Sequence, residues 1–219
     1  MNSESRHEPT DPSGAKPQAS QSPVVRRALP SERSAVAAMV AAAFSADPAW
    51  TFIFGSEYER LAQHFAAALF DVRVNSSTVW VTDDLAAVAM WDSPGKSAES
   101  PEYAEEVWKR YRATSGAEAY LRLLAYNDAV MAVAATAAGD YWYLGVLATH
   151  PEHRREGLAS AVLAPVLEEA DRQRIVCCLE TSTEENRRFY ERRGFTLASD
   201  VLVPGGPATW WLRRAPAQC

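Results

Sequence analysis

The chain has 219 residues, 47% of them hydrophobic and 23% charged, which is enough for one domain with a proper core and hardly enough for two. Its net charge of −6 argues against nucleic acid or an anionic membrane as the main partner. An apolar run of roughly eighteen residues, the length a membrane span needs, does not occur.

Met1 to Ser22 is rich in Ser, Pro, Glu and Gln and lacks the apolar stretch of a secretory signal. It is expected to be a disordered N-terminal tail ahead of a domain over 23–215. Val24 to Leu29 reads as a short strand. Pro30 and Ser31 open a helix with Val36, Met39, Val40, Ala43 and Phe44 on one face, stopping near Asp47-Pro48. Trp50 to Gly55 reads as a loop. A second helix follows from about Glu57 to Val72, then a hairpin of Thr78–Thr82 and Ala86–Trp91 around Asp83-Asp84.

Pro101 starts a helix that Gly116 breaks, and another runs from Ala117 to about Ala135. A strand ending near Leu147 leads through Pro151 and a polar turn into a helix from Gly157 to about Arg172. Pro165 sits inside that helix and removes one backbone hydrogen bond. Ile175 to Leu179 is a strand, and Glu184 to Arg193 a helix with Thr183 as N-cap. Thr196–Val203 and Ala208–Arg213 form a last strand pair. Three cysteines do not make a disulfide framework. They suggest reduced thiols in a cytoplasm, with Cys177 and Cys178 pointing to opposite faces of their strand.

The turn Arg154-Arg155-Glu156-Gly157-Leu158-Ala159 joins a strand to a helix N-terminus. Unpaired N–H groups and the helix dipole favour an anion there, and Gly157 permits close backbone approach. The turn argues against a P-loop, because no Lys-Ser/Thr pair follows the glycine. Further along comes Asn186-Arg187-Arg188-Phe189-Tyr190-Glu191-Arg192-Arg193-Gly194-Phe195.

The phosphate cradle followed by N-x-x-x-Y-x-x-x-G-F resembles the GNAT superfamily of acyl-CoA-dependent N-acetyltransferases. The resemblance implies an α/β (α+β) fold. This would be a single domain with a mixed, mostly antiparallel twisted sheet flanked by helices. The sheet would splay between the strands near 141–149 and 175–181. It implies acetyl-CoA as co-substrate and no metal. The turn from Arg154, with the amides of Arg155, Glu156, Gly157, Leu158, Ala159 and Ser160, would hold the pyrophosphate. The backbone of Leu147, Ala148 and Thr149 would take the pantetheine arm as an added strand, and Asn186 would hydrogen-bond it. Tyr190 corresponds to a general acid that protonates the CoA thiolate. Its competing reading is an aromatic packed beside Phe189 and Phe195.

Glu180, at the carboxyl end of its strand, is the candidate general base. Its competing reading is a strand-end carboxylate bonding the next helix's amides. Departures from the family pattern are Arg155 where a small residue is common, Glu156 where a basic one is, Thr149 for Val, and a longer insertion before Tyr141.

Further likeness, in Thr78-Val79-Trp80-Val81, Cys178-Leu179-Glu180-Thr181-Ser182 and the Val203-Pro204 turn, points to the branch that acetylates aminonucleoside antibiotics such as puromycin. It implies a small-molecule amine as partner rather than nucleic acid or membrane, in a monomer or homodimer. Trp50, Phe52, Phe54, Trp91, Trp108 and Tyr111 are candidate aromatic walls of the acceptor pocket or core residues. Asp47 or Asp92 is the candidate partner of a substrate ammonium. Acetylation of a protein N-terminus or lysine, and a non-catalytic acyl-CoA-binding module, are the competing functions.

Overall fold

Residues 23–95 and 100–217 are described by a computed structural model. The tail expected over 1–22 and Cys219 lie outside them. Strands β1 (Val25–Arg27), β2 (Val79–Thr82), β3 (Ala87–Asp92), β4 (Tyr141–Thr149), β5 (Val176–Thr181), β6 (Thr196–Val201) and β7 (Thr209–Arg214) form one sheet. Their order is β1-β2-β3-β4-β5-β7-β6. The β4–β5 pair is parallel and the others antiparallel, so the sheet is mixed and mostly antiparallel.

Helices α1 (Arg33–Ala43), α2 (Pro48–Phe54), α3 (Tyr58–Asp71), α4 (Pro101–Ser115) and α5 (Ala117–Ala134) cover one face. Helices α6 (Leu158–Gln173) and α7 (Glu184–Glu191) cover the other. Each face has its own apolar core. Val81, Val88, Met90, Val146 and Ala148 point to the first. Ala87, Ala89, Trp91, Leu144 and Leu179 point to the second. Cys178 joins the first core and Cys177 the second, as the period of a strand requires. Burial pushes the Cys177 thiol up to about 12 and the Cys178 thiol up to about 11, so neither is a ready nucleophile.

One expectation is corrected. Trp50 to Gly55 is not a loop: Asp47 and Pro48 open helix α2, whereas α1 ends at Ala43. The Asp47 carboxylate accepts the Ala49 and Trp50 N–H groups at 2.9 and 3.1 Å, and Pro48 occupies the first turn, where a missing N–H costs nothing. An Asp-Pro pair stops one helix and starts another, and only packing decides which function is used. Here Trp50, Ile53 and Phe54 bury against the core and hold the short helix in place.

The feature that positions the site is a bulge in β4. Pairing with β3 runs Met90 to Val146 and then Trp91 to Leu144, so Gly145 has no partner. The extra residue flips the alternation: Tyr143 faces the first core before it, and Val146 and Ala148 face the same core after it. Gly145 is required sterically, because a Cβ there would stand 2.8 Å from Nη2 of Arg73. Pairing with β5 stops at the same place, at Leu144 and Leu179. Beyond it β5 pairs only with β7, while β4 continues along β3. The two central strands therefore fork.

Among the described residues no single helix is long and apolar enough to cross a membrane.

Candidate active site

At one end of the fork lies the turn into α6. Arg155 and Gly157 both have positive φ, 70° and 84°, which aims successive amides to one side. Gly157 is the N-cap of α6, and no side chain among the described residues caps that helix. The Ser160 and Ala161 amides bond the Gly157 carbonyl, whereas those of Glu156, Gly157, Leu158 and Ala159 reach no carbonyl among the described residues. Nothing lies within 4 Å of where a Cβ on Gly157 would stand. An uncapped helix N-terminus with open space before it fits a phosphate group. Arg154 donates to the Ala43 carbonyl at the end of α1, 3.3 Å away. The Glu156 carboxylate turns to Nδ1 of His153 at 3.2 Å.

The Arg155 backbone strain is testable. The left-handed region costs a non-glycine residue about 1 kcal/mol. Arg155→Gly is expected to be more stable to urea than Arg155→Ala by about 0.5–1 kcal/mol, since both remove the side chain and only glycine relieves the strain. Equal stabilities would show that the turn stores none.

Along the fork, the His150 N–H bonds the Ala86 carbonyl of the β3 side at 2.7 Å. By strand alternation the Ala148 backbone also faces β3, and the Thr149 and Leu147 backbones face the gap. These groups have no β5 partner, so an extended amide-bearing chain can add there as a strand.

Helix α7 supplies the opposite wall. Thr183 caps it, accepting the Asn186 N–H at 3.2 Å. Asn186 and Tyr190, one turn apart, both line the cavity at the fork. Tyr190 is only 7% exposed and packs edge-on to Phe189 and Phe195 at 5.2 and 5.6 Å. Its hydroxyl makes no hydrogen bond among the described residues. Burial holds the phenol well above its ordinary range, with the nearby Glu180 charge adding to the effect, so it stays protonated at neutral pH. Arg193 stacks on Phe189 and donates to the Phe189 carbonyl and to Ser160, tying α7 to the first turn of α6.

Glu180 sits one residue past the last β4–β5 pair. The Tyr143 hydroxyl donates to its Oε2 at 2.6 Å, and Tyr143 in turn stacks on Trp211 at 5.9 Å. Helix α7 is capped by Thr183, so its amides do not use Glu180. Burial pushes the Glu180 carboxyl up to about 7, against the opposing pull of the Tyr143 bond and the Arg73 charge. A carboxylate poised there suits proton abstraction near neutrality.

The cavity shared by Glu180, Tyr190 and Asn186 holds about 620 Å³. Of the six expected aromatic walls, Trp50 and Trp108 line it. Phe54, Trp91 and Tyr111 are core residues, Trp91 on the far face of the sheet, and Phe52 packs toward the Gly206 turn. Tyr126, Tyr141, Tyr143 and Trp211 line it instead; in the sequence they read only as strand or helix apolars.

Arg73 was also hidden, a lone charge between Val72 and Val74. It is 7% exposed, pairs with Asp92 at 2.7 Å and donates to the Leu69 carbonyl at 3.0 Å. Among the described residues no group of three or more His, Cys, Asp or Glu could hold a metal ion.

The mixed seven-stranded sheet flanked by helices is the architecture of a GNAT-like α/β domain. A profile of the Acetyltransferase (GNAT) family matches residues 82–195, more than half of the chain, and the chain belongs to that family. Several solved structures share the fold. The histone acetyltransferase HPA2 and related acetyltransferase from Corynebacterium glutamicum is 17% identical with a TM-score of 0.65, covering 90% of this chain and 98% of its own. Polyamine N-acetyltransferase of Drosophila melanogaster, which forms N-acetylagmatine, is 14% identical with a TM-score of 0.60, covering 88% and 99%. An N-acetyltransferase from Staphylococcus aureus is 16% identical with a TM-score of 0.58, covering 87% and 99%.

Proposed function

We propose that this protein transfers the acetyl group of acetyl-CoA to the primary amine of a small molecule. The observation that carries this reading is the convergence of Glu180, Tyr190 and Asn186 on one cavity where β4 and β5 part. The donor supplies an activated thioester. The amides from Arg155 to Ala159 hold its pyrophosphate, and Arg154 and Ser160 brace that turn. The backbone groups of Leu147 and Thr149 pair the pantetheine amides while Ala148 stays in the β3 ladder, and the Asn186 side chain fixes the arm.

Glu180 takes a proton from the incoming ammonium. The freed nitrogen lone pair forms the C–N bond as the C–S bond breaks. Tyr190 gives its proton to the departing sulfur, the acylated nitrogen's second proton restores the phenol, and the proton on Glu180 leaves to water. Burial lowers the proton affinity of an amine and raises that of Glu180, which brings the two closer together.

The volume and aromatic lining of the cavity favour a small molecule over a protein N-terminus or lysine. The Drosophila relative acts on small amines by its name. The sequence likeness adds an aminonucleoside such as puromycin, whose acetylation would be a resistance reaction in a cytoplasm. The test is CoA release from acetyl-CoA by purified protein, with puromycin, agmatine or no acceptor. Amine-dependent release supports the reading, and the acceptor that drives it names the substrate. Release with none of the amines, together with no thermal protection by acetyl-CoA, sinks it.

A further inference from the structure

Among the described residues four carboxylates line the cavity, Asp47, Asp92, Asp140 and Glu180, against one guanidinium, Arg73. They are not equivalent. Asp92 is neutralised by Arg73. Asp140 is exposed, where water screens its charge. Glu180 is tied to the Tyr143 hydroxyl.

Asp47 differs from all three. Both of its amide bonds fall on Oδ1. Among the described residues no cation pairs with it and nothing donates to Oδ2. It is flanked by Phe44 and Trp50, whose rings lie 4.6 Å apart and line the same cavity. It lines the same cavity as Glu180 and Tyr190.

Resting on the acetyltransferase reading of the cavity, we infer that Asp47 divides its carboxylate: Oδ1 caps helix α2, and Oδ2 docks the ammonium of an acceptor with an apolar or aromatic body. A carboxylate without a cation partner in a partly desolvated, aromatic-walled site binds a cation strongly, because water competes poorly there and ring faces add cation–π attraction. The acceptor therefore enters charged and gives up its proton to Glu180 inside. Asp47 is a specificity residue: it selects amines over neutral molecules of the same shape.

The cap makes the test clean. Asparagine caps a helix about as well as aspartate and carries no charge. The probes are 2-phenylethylamine and its neutral counterpart 2-phenylethanol, titrated calorimetrically into the full-length protein with CoA present. The wild type is expected to bind the amine at least about tenfold tighter than the alcohol. Asp47→Asn should bring the ratio to within about threefold while keeping the wild-type Tm. Asp47→Ala should lose both the preference and several degrees of Tm. A wild type with no amine preference, or an Asp47→Asn variant that keeps it, overturns the inference.

Acetyl transfer to 2-phenylethylamine, followed in parallel, separates the two claims. Lost preference with no transfer in the wild type to this or any other amine tried, and no thermal protection by acetyl-CoA, leaves Asp47 as an ammonium site and fails the acetyltransferase reading. Transfer with the preference intact in Asp47→Asn does the reverse.

Discussion

Glu180→Gln is expected to lower kcat by about a hundred- to a thousandfold and to abolish the acid limb of the pH–rate profile. The wild-type carboxyl, pushed up to about 7 by burial, must be ionised to accept the ammonium proton. Activity should therefore rise with pH through about 7 and then level. The same substitution should stabilise the protein above neutrality.

Glu180 has a raised pKa in the folded state, so the folded protein holds this proton more tightly than the unfolded chain does. Its contribution to stability is complete below the unfolded value of 4.5 and is lost as pH rises through about 7. Glutamine escapes that loss and can still accept the Tyr143 hydroxyl. At pH 8 the variant should be the more stable by roughly 1–3 kcal/mol, with the two proteins equal at pH 4. Parallel urea titrations at the two pH values measure this. A Gln variant that is inactive but no more stable at pH 8 would mean the carboxyl is not desolvated, and its poise as a base would need another origin.

Tyr190→Phe is the second large effect. The hydroxyl has no partner among the described residues, so its loss leaves no polar group stranded, and the ring still packs on Phe189 and Phe195. Stability should change by less than about 1 kcal/mol. Without the proton donor the thiolate leaves unassisted, and kcat should fall about a hundredfold while KM for acetyl-CoA holds. Because Tyr190 stays protonated across the working range, the acid limb set by Glu180 should persist in this variant. Unchanged kcat would return Tyr190 to the packing role that its neighbours alone suggest.

Asn186, Tyr190 and the Arg154–Ala159 turn are local features of strand, turn and helix. They were legible because their spacing survives in the chain itself: three or four residues along a helix always share a face. Thr183 announces its helix by the same local logic. The bulge at Gly145 was not legible. A glycine in an apolar strand marks a close approach, but what approaches is Arg73, from a segment far away in sequence. Asp47-Pro48 was read as a stop because both meanings of the pair are local, and the burial that selects a start is not.

Length, charge, most elements and the residues of the turn before α6 and of α7 follow from the order of amino acids, because hydrogen-bond spacing and side-chain period act over a few residues. Tertiary structure alone decided which aromatics face the cavity, that Tyr143 holds Glu180, that Arg73 cancels Asp92, and that Asp47 has no cation partner among the described residues. Each of these depends on a partner brought in from another element, and on the loss of water that gives a buried charge its strength.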